Sequence, residues 1–238
     1  MASGAGTASR FTLPVRAKAA VIDLDGTLLD TIGDLASAAN SMRSELGLAP
    51  LNPELIKTFV GKGITNLVAR TLAYGRDTPD QAALDGAVAV FERHYALCLT
   101  ETSRPYPGAE IGLQALRAKG LRLGCITNKA ARFTQPLLKS TGLAGYFEIV
   151  LCGDSLPRKK PDPLPLLHAA RFFNVEPWEL LLIGDSVNDV QAAHAAGCPV
   201  FVVPYGYNEG QDIHALSYDV LIAGLDEAAQ FVENVTST

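Results

Sequence analysis

An α/β fold is predicted: a doubly wound parallel sheet opened by an α-helical insert. Three observations carry that expectation. Short, almost continuous apolar runs of strand length recur along the chain, the pattern of strands covered on both faces. Segments with helical apolar spacing lie between them. One long interval, from Thr31 to about Arg104, breaks the alternation and holds no strand-like run.

Taken in order, residues 1–17 (MASGAGTASRFTLPVRA) are small, polar and weakly basic, and read as a flexible N-terminal tail without the apolar core of a secretory signal. AAVIDL at 19–24 is the first strand. Within the insert, 31–104, Ile32, Leu35, Ala39, Met42 and Leu46 recur at helical spacing, as do Leu84, Val88, Phe91, Tyr95 and Leu99. The interval is too long for an ordinary βα connection. It should fold as a small helical module over the mouth of the first strand and return through SRPYPG at 103–108. The core, 18–30 and 105–238, then resumes its alternation. Helices are expected over 108–119, 130–141, 162–173 and 187–196. Strands are expected at LRLGCIT (121–127), FEIVLCG (147–153), LLLIGD (180–185), PVFVVP (199–204) and, more weakly, DVLIAG (219–224).

Composition bounds the function. Of 238 residues, 48% are apolar and 19% charged, the balance of a soluble globular chain. A net charge of −5 argues against a nucleic-acid partner, and no run approaches the ~20 apolar residues of a membrane helix. Cys98, Cys125, Cys152 and Cys198 have no metal-ligand spacing, and Cys125 and Cys152 lie in strand-like runs as small buried thiols. A cytoplasmic protein with reduced cysteines is expected. The histidines His94, His168, His194 and His214 likewise lack ligand spacing, and Trp178 in EPWEL reads as packing at a strand entrance.

The chemistry sits at the strand ends, where open α/β sheets bind ligands. Asp23, Asp25, Gly26 and Thr27 follow the first strand, and Thr127 and Asn128 the second. RKKPDP, with Lys160, follows the third; Asp185, Ser186 and Asp189 follow the fourth. Four carboxylates gathered in one place repel one another unless a cation sits among them. Hard oxygen donors without Cys or His suggest Mg²⁺. A divalent ion, a lysine and loop amides are what a phosphoryl group needs during transfer. Of two neighbouring aspartates, one can attack phosphorus and the other can move the leaving group's proton.

DLDGTLLD, ITNK, KKPDP and GDSVND, in that order, resemble the four motifs of the haloacid dehalogenase (HAD) superfamily of phosphotransferases. The match spans about residues 19–225. RPYPGAE, LPRKKPDPLPLL, GDSVNDVQAAHAAGCPV and YGYNEG resemble its bacterial phosphoglycolate phosphatase branch. The resemblance implies a Rossmann-like core with a helical cap, and a Mg²⁺-dependent phosphomonoesterase that turns 2-phosphoglycolate into glycolate and phosphate through an aspartyl phosphate. It implies Asp23 as nucleophile, Asp25 as general acid and base, and Asp23, Asp25 (by its carbonyl) and Asp185 as metal ligands. Thr127 and the Asn128 backbone amide would hold the phosphoryl oxygens, and Lys160 would balance the charge on Asp23 and the phosphate. Asp189 and Ser186 would stand behind the ligands, with Asp189 orienting a water or Lys160. Thr27, beside Gly26, would orient Asp25. The glycine-rich loop Val60-Gly61-Lys62-Gly63 would reach the site from the cap, where Lys62 could meet the carboxylate of glycolate.

The expected partner is a small phosphorylated metabolite, with neither nucleic acid nor membrane; oligomeric state is left open. Three other readings stay open from the residues. One is a phosphatase for another small monoester such as a sugar phosphate. A β-phosphoglucomutase-like mutase, which keeps both aspartates, is the second. The third is a silent phosphate-binding protein, which would be expected to lose Asp23 or Asp25; neither is lost.

Overall fold

The computed structural model describes residues 10–234. In chain order its regular elements begin with β1 (Val15–Ala17), β2 (Ala19–Ile22) and β3 (Leu29–Asp30). Four helices follow without an intervening strand: α1 (Ile32–Glu45), α2 (Pro53–Lys57), α3 (Ile64–Ala73) and α4 (Gln81–Cys98). The alternation then resumes with β4 (Arg104–Pro105), α5 (Ala109–Ala118), β5 (Arg122–Ile126), α6 (Ala131–Ser140) and β6 (Ile149–Leu151). It continues through α7 (Leu164–Phe173), β7 (Leu180–Gly184), α8 (Val187–Ala196), β8 (Val200–Val202), β9 (Val220–Leu221) and β10 (Val232–Asn234).

Six strands form one parallel sheet in the order β6-β5-β2-β7-β8-β9. The alternation of side chains across β2 explains its continuous apolarity. Ala20 and Ile22 enter one core with Leu113, Leu116 and Leu137, while Ala19 and Val21 enter another with Leu166, Ala170 and Val190. Both faces are covered by helices, so neither can be polar. The chain order reverses beside β2, with β5 on one side and β7 on the other. That places the carboxyl ends of β2 and β7 at the crevice where such sheets bind ligands.

The helical insert packs as its own cluster, with Leu35, Ala39, Met42, Ile56, Phe91 and Tyr95 buried together. Leu46, although in helical register, is 43% exposed because α1 has ended there. The two linkers to the insert pair with each other as the antiparallel β3–β4 ribbon, Leu29 opposite Pro105 and Asp30 opposite Arg104. Asp34 ties the returning linker to α1. It accepts from the N–H groups of Thr100, Thr102 and Ser103 and from the hydroxyls of Thr102 and Ser103. Burial alone would raise its pKa, but the Ser103 and Thr102 hydrogen bonds outweigh it and hold the carboxyl below the ordinary value.

Two expectations are corrected. The tail does not extend to residue 17: Val15–Ala17 is a strand paired in parallel with Val232–Asn234. The Arg10 guanidinium also donates to the Cys198 carbonyl. Residues 1–9 of that expected tail lie outside the described residues. Trp178 is 55% exposed and is not packed at a strand entrance.

Candidate active site

Four loops converge beyond the carboxyl ends of β2, β5, β6 and β7. The ammonium of Lys160 is buried and sits 2.8 Å from Asp23 Oδ1, 2.6 Å from Asp189 Oδ1 and 2.8 Å from the Ile126 carbonyl. Burial would pull the Lys160 pKa down, but the negative charges of Asp189 and Asp23 outweigh it and raise it. Asp189 is fully engaged from the other side, because Oδ2 accepts from the N–H and hydroxyl of Ser186. Ser186 and Asp189 stand at the first and fourth positions of SVND, the spacing of a capping box at the start of α8. Asp189 therefore starts a helix and anchors Lys160 with the same carboxylate.

Asp185 is also oriented twice. Its Oδ1 accepts from the Thr27 hydroxyl at 2.9 Å and its Oδ2 from the Tyr207 N–H at 2.5 Å. The loops around it approach too closely for side chains. A Cβ on Gly26, whose φ is +90°, would come within 2.3 Å of Asp185 Oδ2, and one on Gly206 within 2.2 Å. Thr27 therefore orients Asp185, which corrects its expected role toward Asp25. Asp25 is held instead by the Thr31 hydroxyl, 2.7 Å from Oδ1, and by Lys129, whose Nζ lies 3.0 and 2.9 Å from the two carboxylate oxygens.

Asp23, Asp185 and Asp189 each offer a carboxylate oxygen within 4.8 Å of the others. The electrostatics test whether a cation fits there. Burial, then the charges of Asp189 and Asp25, push the Asp23 carboxyl up to about 7 despite Lys160. Burial and the charges of Asp23 and Asp189 push Asp185 well above its ordinary value. One lysine does not neutralise this group, and the donors are hard oxygens, so the residues fit a divalent ion such as Mg²⁺. Asp23, Asp185 and Asp189 are the carboxylates that could hold it, and Asp189 also anchors Lys160.

The pocket beside these groups counts about 500 Å³, open mouth included. On the core side it is lined by Asp23, Asp25, Thr127, Asn128, Lys129, Lys160, Ser186 and Asn188; Leu35, Val60, Gly61, Gly63, Ile64 and Leu67 line it from the insert. The Asn128 amide joins the two sides, donating to the Gly61 and Lys160 carbonyls at 2.9 Å each. Lys62 is not brought in. Its Nζ pairs with Glu209 at 2.9 Å and its side chain is 45% exposed, so the expected contact with a substrate carboxylate is withdrawn. Lys159 reaches the same loop, donating to the Lys62 carbonyl at 3.0 Å.

Residues 20–203 match the haloacid dehalogenase-like hydrolase family. This chain belongs to that family. Among its relatives, a phosphoglycolate phosphatase of Thiobacillus denitrificans is 55% identical over 223 residues, 93% of this chain and 97% of that protein. One of Nitrosospira multiformis is 54% identical over 224 residues, 94% and 98% of the two chains. Among solved structures, a predicted phosphoglycolate phosphatase from Haemophilus somnus superposes with a TM-score of 0.84 at 31% identity, covering 90% of this chain and 97% of that one. The family's Rossmann-like core is the six-stranded sheet, and the helical insert is its cap.

Several residues that sequence reasoning left without a role are now at the site. Lys129 was legible only as the last letter of ITNK. Tyr207 and Glu209 stand in YGYNEG, a loop that the motif pattern marks without saying what it touches. The Tyr207 hydroxyl donates to Asp30 Oδ1 at 2.6 Å and accepts from the N–H groups of Thr31 and Ile32. Glu209 pairs with Lys62 and, at 3.5 Å, with Arg70. One core loop thus holds a candidate metal ligand, the first linker and the cap.

Proposed function

We propose that this enzyme is a Mg²⁺-dependent phosphomonoesterase whose substrate is 2-phosphoglycolate. The observation that carries the reading is Lys160: one buried ammonium bridges Asp23 and Asp189 with Asp185 beside them, an arrangement suited to a dianionic phosphoryl group. The choice of substrate is supported by relatives 43–55% identical that bear the name phosphoglycolate phosphatase. The cap-side wall of the pocket is apolar, and the groups that can hold a phosphoryl oxygen lie on the core side. A mutase is not favoured, because those relatives carry phosphatase names.

Hydrolysis follows two in-line displacements at phosphorus. An oxygen of Asp23 attacks while the bond to the glycolate oxygen breaks and that oxygen takes a proton from Asp25. A water then gives its proton to Asp25 and its oxygen to phosphorus, releasing phosphate and restoring the Asp23 carboxylate. Lys160 holds Asp23 and balances the phosphoryl charge, and Thr127 with the Asn128 backbone N–H positions the phosphoryl oxygens. Asp23, Asp185 and the Asp25 carbonyl would hold Mg²⁺, which when bound would supply Lewis-acid neutralisation of the transferring group. The cap limits access of bulk water. The cytoplasm is the compartment this reading takes, with Cys125, Cys152 and Cys198 buried as packing thiols.

The test is kcat/KM for phosphate release across 2-phosphoglycolate, β-glucose 1-phosphate, a sugar 6-phosphate and p-nitrophenyl phosphate, with Mg²⁺ and with EDTA. The expected result is a strong preference for 2-phosphoglycolate that EDTA abolishes. A clear winner elsewhere refutes the substrate, and activity indifferent to EDTA refutes the metal.

A further inference from the structure

The pocket presents a selectivity problem. Its cap-side wall is Leu35, Val60, Ile64 and Leu67 with two glycines, none of which recognises a charged leaving group. Two cations line it, Lys160 and Lys129. Lys160 is already shared between two carboxylates, Asp23 and Asp189, and donates to the Ile126 carbonyl. Lys62 is drawn away by Glu209.

Lys129 differs from both. Its side chain is 3% exposed, and it faces a single carboxylate, Asp25, with the ring of Tyr95 as its other neighbour, 5.0 Å to the centroid. Where Lys160 serves two carboxylates, Lys129 serves one carboxylate and a neutral phenol, so its charge is balanced by a single anion. Its location supplies the rest. It is bonded to the residue that protonates the ester oxygen, and in a phosphorylated 2-hydroxy acid the carboxylate is separated from that oxygen by one carbon. A leaving group whose ester oxygen meets Asp25 therefore carries its carboxylate into the neighbourhood of Lys129.

We infer that Lys129 is the receptor for the leaving group's carboxylate and the residue that selects phosphate monoesters of short hydroxy acids. The inference rests on the hydrolase reading of the site. A charge-assisted hydrogen bond formed in a water-poor pocket discriminates strongly against an analogue that lacks the charge. The opposing possibility is that Lys129 only holds Asp25 in place, in which case it matters equally for every substrate.

The deciding quantity is a ratio of efficiencies for an isosteric pair, 2-phosphoglycolate and 2-phosphoglycolamide. In the unmutated enzyme the ratio is expected to be about 10- to 100-fold in favour of the carboxylate. Lys129→Met, which also weakens both reactions by leaving Asp25 unpaired, should bring the ratio to within about threefold of one. Lys129→Arg, which keeps the charge, should keep the preference. A ratio unchanged by Lys129→Met overturns the inference and leaves Lys129 as a positioning residue. A ratio near one in the unmutated enzyme overturns it without any variant, and so decides the matter even if Lys129→Met does not fold. Failure of the underlying reading looks different: no phosphomonoester is hydrolysed with Mg²⁺.

Discussion

The two walls of the pocket are built by opposite means. On the core wall, each charged group is fixed by others that are buried. Asp189 is held by Ser186 and holds Lys160, while Asp185 is held by Thr27 and the Tyr207 N–H. The cap wall is apolar where it faces the pocket, and its link to the core loop at Lys62 and Arg70 is a partly exposed set of ion pairs with Glu209. Reactivity demands charges positioned to fractions of an ångström, which only a network of buried partners supplies. Closure over a small substrate demands a contact that opens again, and exposed ion pairs of at most about 1 kcal/mol suit that. Chemistry is thus assigned to the wall of buried, multiply bonded charges, and the apolar wall shapes access to it.

The sharpest way to break this comparison is to remove the nucleophile. Asp23→Asn should lower kcat for 2-phosphoglycolate by about 10⁴-fold or more under saturating Mg²⁺. Retention of more than about one per cent of the rate would remove Asp23 from its role. Asp25→Asn comes next, with a loss of about 10² to 10⁴ on 2-phosphoglycolate. The loss should be much smaller on p-nitrophenyl phosphate, whose leaving group departs without a proton. Equal losses on both would sink the assignment.

Metal removal tests the core wall through stability. The Asp23 carboxyl has an ordinary pKa of 3.8 and is raised to about 7, chiefly by burial. Between those values the metal-free folded protein keeps a proton that the unfolded chain has released. Its contribution therefore favours folding most below pH 3.8 and is lost as the pH rises through 7. Mg²⁺ competes with that proton. Saturating Mg²⁺ should raise Tm by about 5–10 °C at pH 8 and by much less at pH 5.5. An equal shift at both pH values would show that Asp23 does not share its site between proton and metal.

Smaller effects belong to the loop that joins the walls. Tyr207→Phe deletes the hydroxyl that grips Asp30, Thr31 and Ile32 but keeps the N–H on Asp185. It should cost about 1–2 kcal/mol of stability and lower kcat/KM several-fold, with the Mg²⁺ concentration for half-maximal activity little changed. A large change in that concentration would mean that the hydroxyl, not the amide, controls Asp185. Glu209→Gln should raise KM by no more than about fivefold, and the difference from the parent enzyme should vanish in high salt. A difference that persists in high salt would show that this contact is not electrostatic.

Much of the core was legible because its constraints are local or periodic. A strand covered on both faces must be apolar at every position, as Ala19–Ile22 is, and SVND reads as a helix start on its own. The first strand β1 was not legible: VRA alternates over only three residues, and its partner, VEN, lies at the far end of the chain. Trp178 misled for a related reason, since a large apolar residue at a surface turn looks in sequence like one inside. At the site, Thr27 was assigned to its chain neighbour Asp25 because nothing in the sequence says that Asp185 folds back over it. Lys62 and Lys129 were equally ambiguous as letters. A lysine's chemistry depends on which anion it meets, and Glu209 meets the first while Asp25 meets the second.

By itself the sequence determined the parallel core, the helical insert after the first strand, and the residue types at the strand ends. Those follow from hydrophobic period and from turn and capping chemistry acting over a few residues. The tertiary structure alone decided the pairings: Lys160 with Asp23 and Asp189, Thr27 with Asp185, Lys129 with Asp25, Tyr207 with the first linker. Each joins segments from 29 to more than 170 residues apart. Electrostatic energy depends on distance in space and on exclusion of water, and neither is defined until the loops of the sheet have been brought together.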